Sequence, residues 1–261
     1  MSEAVSQKEM QQETAKRRTF AIISHPDAGK TTLTEKLLLY SGMIGTAGMV
    51  RARKGGKTTS SDWMSLERER GISVSASAMQ FPYKEAIINV LDTPGHQDFS
   101  EDTYRTLTAA DSAVMVLDAG KGVEAQTRKL FAVCRLRKTP VLTFINKMDL
   151  PSKDPLELLQ EVEHVLGILA SPISWPIGSG ASFKGIIYPA TREVVLFTKS
   201  DIGGAGKAEF KTTHLDDAVK NGEISEEQAK TLADELELLE AAGNPFIHDD
   251  FLAGKITPVF F

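Results

Sequence analysis

The apolar run Phe20-Ala21-Ile22-Ile23 leads into Ser24-His25-Pro26-Asp27-Ala28-Gly29-Lys30-Thr31-Thr32, after which Leu33, Leu37 and Leu38 recur at helical spacing. Strand, tight loop and helix form the context that a phosphate-binding loop requires. Apart from Ser24 at the first glycine position, the spacing is G-x-x-x-x-G-K-[ST]. Gly29 lets the backbone curl so that the amides of His25, Asp27, Ala28, Lys30 and Thr32 turn toward phosphate oxygens. The helix N-terminus adds partial positive charge there. Lys30 would neutralise the outer phosphates, and the Thr31 hydroxyl would ligate a bridging Mg²⁺.

Two further motifs follow apolar runs in the same way. Asp92-Thr93-Pro94-Gly95-His96 comes directly after the run at 86–91. In such a D-x-x-G, Asp92 would hold Mg²⁺ through a water, and the Gly95 N–H would reach the terminal phosphate and register its loss. Asn146-Lys147-Met148-Asp149 comes after the run at 140–145. The Asp149 carboxylate can accept from both the N1–H and the exocyclic amine of guanine. Adenine offers no such donor pair, so a buried carboxylate would be left unpaired against it. Asn146 would tie this loop to the phosphate loop, and the Lys147 stem would cover the base.

The elements that must position these residues are legible from periodicity. The first strand is expected over 19–24, buried strands over 112–118 and 140–145, and helices over 100–109, 124–137 and 155–169. An alternating run at 73–78, a turn at 82–85 and the run at 86–91 predict an antiparallel hairpin. Strands alternating with helices predict a doubly wound, mostly parallel α/β sheet with one antiparallel edge hairpin. Periodicity lapses from Gly42 to Gly71, a length that points to a functional loop. Residues 1–18 read as a polar leader and 19–261 as the main domain. Within it, a late α+β insertion is expected at about 170–244, with a hairpin from 185–188 and 193–197, and a capping box at Ser225-Glu226-Glu227-Gln228 opening a helix with Leu232, Leu236 and Leu239 inward. The apolar run 256–261 predicts a last strand and a chain cut from something longer.

Composition narrows the class. A formal net charge of −5 argues against binding DNA or RNA mainly through a basic field, while leaving room for an RNA-containing partner met through a local patch. The single cysteine, Cys134, cannot form an intramolecular disulfide and falls on a helical apolar stripe with Thr127, Leu130 and Phe131. No apolar run approaches membrane-spanning length and the N-terminus has no signal-peptide core, which predicts a cytoplasmic protein.

These motifs, in this order, resemble the translational GTPases, and in particular their release factor 3 branch. The segments that carry the resemblance include 23–36, Ser61-Asp62-Trp63-Met64, Arg70-Gly71-Ile72-Ser73, 92–107, Ser174-Trp175-Pro176-Ile177-Gly178 and 256–261. The resemblance implies a P-loop GTPase fold, GTP and GDP as ligands with Mg²⁺, and a monomer that works with the ribosome, its ribosomal RNA and the peptide-releasing factors. It implies that Ser73 supplies a hydroxyl to Mg²⁺ where elongation factor G carries threonine. It also implies that His96 positions the attacking water, with ribosomal RNA orienting it. Pro26 and Ile72 would then form an apolar gate between His96 and that water. The family's last guanine loop, of S-A-[LK] type, would come after Phe261. Alternatives are an elongation-factor-G-like translocase or ribosome-protection GTPase, a nucleotide-binding module with negligible turnover and, more distantly, an ATP-dependent kinase.

Overall fold

The computed structural model describes residues 7–44, 77–93, 101–197 and 207–261. A helix, α1 (Gln7–Lys16), occupies most of the expected polar leader, and β1 (Arg17–Ser24) follows without a break. The strand starts two residues ahead of the expected Thr19 because Arg17 and Arg18 find partners in Ile87 and Ile88, which local periodicity does not reveal.

The edge hairpin consists of β2 (Ser77–Tyr83) and β3 (Ala86–Asp92), joined by Lys84-Glu85. Its turn is tighter than predicted. Pro82 and Tyr83 remain in the strand opposite Ile87 and Ala86, and Lys84 turns the chain at φ 51°. A proline survives there because β2 is the edge strand, where a missing N–H need not break a ladder bond. Of the predicted strand at 73–78, residues 73–76 lie outside the described residues, as does 45–76, most of the expected functional loop.

The parallel strands follow, each buried largely on both faces. β4 (Ser112–Asp118) pairs with β1, and β5 (Val141–Asn146) pairs with β4. The helices α2 (Lys30–Tyr40), α3 (Glu101–Thr108), α4 (Ala125–Arg137) and α5 (Pro155–Leu166) connect or flank them. Helix α2 ends at Gly42, φ 82°, which lets the Gly42 and Met43 amides return to the Leu39 and Leu38 carbonyls. Cys134 is fully buried on α4, and burial pushes its thiol up to about 12, so it packs as a small hydrophobe.

Helix α5 opens on Asp154, whose carboxylate accepts from the Leu156 and Glu157 amides, with Pro155 at the first helical position. It stops three residues short of the predicted end at 169. Gly167 adopts φ 65°, and β6 (Leu169–Pro172) then leaves as a strand. The pairing that makes it a strand is remote: β6 lies parallel to β11 (Ile256–Phe260), which in turn pairs with β5. Among the described residues the main sheet therefore runs β2-β3-β1-β4-β5-β11-β6, with only β2 antiparallel. The first residues of the expected insertion, 170–172, belong to this sheet.

A second, antiparallel sheet in the order β10-β9-β8-β7 comprises β7 (Trp175–Ile177), β8 (Gly185–Tyr188), β9 (Glu193–Phe197) and β10 (Phe210–His214). The expected hairpin is β8–β9, whereas β10 and the short α6 (Leu215–Lys220) have no periodicity that marks them in the sequence. Ser225 and Gln228 close the predicted capping box on α7 (Glu226–Ala242), which buries Leu232 and Leu236, and α8 (His248–Leu252) precedes β11. Trp175, Ile177, Ile187 and Val194 of the small sheet share one apolar cluster with Ile145 of β5, Leu130 of α4 and Leu158 of α5. No described helix is long and apolar enough to cross a membrane.

Trp175 joins the two layers. It is fully buried, meets the Phe261 ring edge-on at 5.2 Å, and donates its indole N–H to Glu235 Oε2 at 2.7 Å. Burial raises the Glu235 carboxyl above its ordinary value; the Trp175 hydrogen bond opposes this and nearby Asp154 adds to it. The folded state thus holds this proton at a pH where the unfolded chain has released it. Its stabilising contribution is full below the ordinary carboxylate range and falls as pH rises through the raised value. Glu235→Gln keeps an acceptor for the indole and should flatten that part of the stability curve. At neutral pH it should match or exceed the parent by up to about 1 kcal/mol, since the site is partly screened. Denaturant midpoints across the acid-to-neutral range check this, and a variant clearly weaker at neutral pH would count against it.

Candidate functional site

Strand order reverses around β1, which lies between β3 and β4. In an open α/β sheet the crevice for a ligand lies at such a switch point, beyond the carboxyl ends of the strands. The phosphate loop leaves β1 there, Asp92 ends β3, Asp118 ends β4, and Asn146 ends β5. Four strand ends from distant parts of the sequence meet on one rim.

The phosphate loop is shaped by two left-handed residues, Asp27 at φ 66° and Gly29 at φ 103°. Gly29 has a second constraint, because a Cβ there would lie 2.1 Å from Asn146 Nδ2. That amide donates to Ala28 O at 2.9 Å, so Asn146 does tie its loop to the phosphate loop. Ser24, at the first glycine position, is the last residue of β1 and is paired with Val116 in extended backbone, a position with no need of glycine. Gly29 also caps α2. No side chain caps that N-terminus and the first turn holds no acid, so its amides face outward in the arrangement that suits an anion.

Lys30 is 7% exposed and donates to Asp92 Oδ1 at 2.6 Å and to the Thr93 carbonyl. Asp92 is fully buried, and Thr93 Oγ1 donates to Ile22 O at 2.7 Å, which pins the end of β3 against β1. Thr31 is half-buried and Thr32 exposed on the first turn of α2. His25 Nε2 lies 3.3 Å from Glu124 Oε1, so the loop before α4 also touches the phosphate loop. Gly95, His96 and Ser73 lie outside the described residues, as does Ile72 of the expected gate.

Asp149 is exposed rather than buried, standing at the mouth of a cleft of about 470 Å³. Lys147, Met148, Phe183, Phe197 and Phe261 are among the residues that line it. A carboxylate at an open rim stays hydrated until a ligand covers it, so any discrimination must come from the ligand's own burial of the group.

Sequence reasoning overlooked Asp118. It ends β4 opposite Asn146, its Oδ1 accepts the Gly120 N–H at 2.9 Å, and its Oδ2 accepts from Lys147 Nζ at 2.7 Å. Burial pushes its carboxyl up, but the Lys147 bond, the Gly120 N–H and the Lys147 and Lys121 charges outweigh this and hold it below its ordinary value. The signal was available: an acid at the carboxyl end of a buried parallel strand sits on the rim where ligand loops gather.

Fold and site together define a phosphate-loop nucleotide-binding α/β domain. Residues 15–248 match the elongation factor Tu GTP-binding domain, and the chain belongs to that family. It is 55% identical over 246 residues to peptide chain release factor 3 of Symbiobacterium thermophilum, a match covering 94% of this chain and 46% of the relative. The chain thus spans about half the length of that curated relative. A crystal structure of a protein from Thermus thermophilus superposes with a TM-score of 0.70 at 23% identity, covering 93% of this chain and 36% of the other, a likeness of fold.

Proposed function

We propose that this chain is the GTP-binding and GTP-hydrolysing domain of a translation termination factor, one that promotes departure of the peptide-releasing factor from the ribosome. The observation that carries the reading is the seating of Gly29 against Asn146, which sets a phosphate loop and an N-K-x-D loop side by side on one rim. The similarity to a release factor over nearly the whole chain supports the termination role. In this reading the protein is a cytoplasmic monomer and its partners are the ribosome and the peptide-releasing factors.

The residues divide the work by chemistry. The loop amides from His25 to Thr32 and the α2 N-terminus hold the phosphates, and Lys30 neutralises the outer ones. Thr31 and Asp92 are hard oxygen donors suited to Mg²⁺, and Ser73 would add a third. Among the described residues no group of three or more His, Cys, Asp or Glu could hold a metal by itself, so the cation would need phosphate and water oxygens to complete its shell. When bound, Mg²⁺ neutralises charge on the β- and γ-phosphates. Gly95 would report the γ-phosphate and His96 would orient water for in-line attack. Lys147 covers the base, and Asp149 reads it.

The test is base selection. Xanthine presents an acceptor where guanine presents its amine, so Asp149→Asn should move preference from GTP toward XTP, with a shift of roughly 1–3 kcal/mol. Competition binding with the two nucleotides measures it. An unchanged preference for GTP would remove Asp149 as the reader.

A further inference from the structure

The ammonium of Lys147 has two partners of different kinds. It donates to the Asp27 carbonyl of the phosphate loop at 2.5 Å and to the carboxylate of Asp118 at 2.7 Å. The first bond joins two non-glycine residues that both hold left-handed backbone, Asp27 at φ 66° and Lys147 at φ 70°. Such conformations persist only where their surroundings hold them. Left to itself, a lysine ammonium on a four-carbon stem is strongly hydrated and free to swing away.

Asp118 removes that freedom. Its own geometry is determined on three sides: its backbone pairs with Asn146 in the sheet, its Oδ1 is engaged by the Gly120 N–H, and its carbonyl accepts from the Lys121 and Gly122 amides. The loop that follows is braced in turn, with Val123 N donating to Glu161 Oε1 and Lys153 N donating to Ala119 O. Its Oδ2 faces Lys147, and the residue is 8% exposed, so water competes poorly for it. A rigid strand end thus aims one carboxylate oxygen at one ammonium.

We propose that Asp118 is a positioning residue for nucleotide retention: by holding the Lys147 ammonium across the phosphate loop, it keeps that loop and the base-reading loop closed together on a bound guanine nucleotide. Asp118 itself touches no nucleotide in this scheme and acts only through Lys147. The proposal rests on the nucleotide-site reading above. Loss of the charge should therefore speed release of GDP and GTP alike, because the clamp spans loop to loop and not loop to γ-phosphate.

Release of a fluorescent N-methylanthraniloyl-GDP from the full-length protein, followed by stopped flow, tests it. Asp118→Asn keeps the shape and the Gly120 contact, and it should raise the release rate about tenfold, the worth of one well-aimed charged contact. In a Lys147→Met background the same change should alter release by less than about twofold, because the two residues act as one unit. A purely structural aspartate would give the same acceleration in both backgrounds, and that result would overturn the proposal, as would no acceleration in either. Asp118→Glu gives an independent reading should the asparagine variant fold poorly. It keeps the charge one methylene further out, so it should release at least about twofold faster than the parent with Lys147 present and alike without it; equal effects in both backgrounds again overturn it. A parent protein that binds the GDP analogue but shows none of this coupling refutes the clamp alone, whereas a parent that binds no guanine nucleotide refutes the site reading and the clamp with it.

Discussion

Lys30→Ala is expected to weaken GTP binding by roughly ten- to a hundredfold and to destabilise the fold at the same time. The affinity loss follows from the charge: a lysine hydrogen bond to phosphate contributes about 1.5–3 kcal/mol, and no other described side chain of the phosphate loop brings a lysine or arginine to the site. The stability loss follows from Asp92. That carboxylate is fully buried with Lys30 Nζ at 2.6 Å, and removing one partner of a buried pair costs about 3–5 kcal/mol. The two losses separate by experiment. Asp92→Asn in the Lys30→Ala background should restore part of the melting temperature, since no buried charge is left behind, and should restore none of the GTP affinity. Thermal melts and calorimetric titration with a slowly hydrolysed GTP analogue read the two quantities. A single variant that melts with the parent would show that the pair contributes nothing to the fold.

His96→Ala is expected to leave GTP affinity nearly unchanged while abolishing most ribosome-stimulated turnover. The expectation comes from the motif Asp92-Thr93-Pro94-Gly95-His96, which begins at the last residue of β3. An imidazole that positions water contributes only in the transition state, so its loss should appear in the rate of hydrolysis and not in ground-state binding. Removal of a group of this kind slows reaction by about 10²–10³-fold. Single-turnover hydrolysis by the complete factor with ribosomes, paired with nucleotide titration, decides the matter. If binding falls as far as hydrolysis does, the histidine is structural, and a gate built from Pro26 and Ile72 falls with it.

The candidate residues of the site stand out in the sequence because each belongs to a short local pattern. A phosphate loop must leave a strand, turn on a glycine and enter a helix within a dozen residues, so Gly29, Lys30 and Thr31 announce themselves by spacing alone. The same holds for Asp92 and for Asn146 to Asp149, each at the end of an apolar run. Alternating strand and helix patterns were enough for a doubly wound sheet with an antiparallel edge.

What depended on tertiary structure is what joins residues far apart in the chain. Leu169 looks like the end of a helix by its own periodicity and becomes a strand because Ile256 pairs with it. Pro82 looks like a turn residue and stays in β2 because Ile87 is opposite and no strand lies beyond among the described residues. Asp149 reads as a buried carboxylate in the motif and stands exposed at the mouth of a cleft. Gly29 seems to need only a left-handed turn, yet the side chain that excludes a Cβ there is Asn146. Asp118 carried no motif; its place at the end of a predicted strand was legible, but its partner was not, because Lys147 reaches Asp118 and Asp27 only once β4 and β5 lie in register. Local spacing determines which groups can do the chemistry. Sheet register, which depends on pairings between remote segments, decides which of those groups meet.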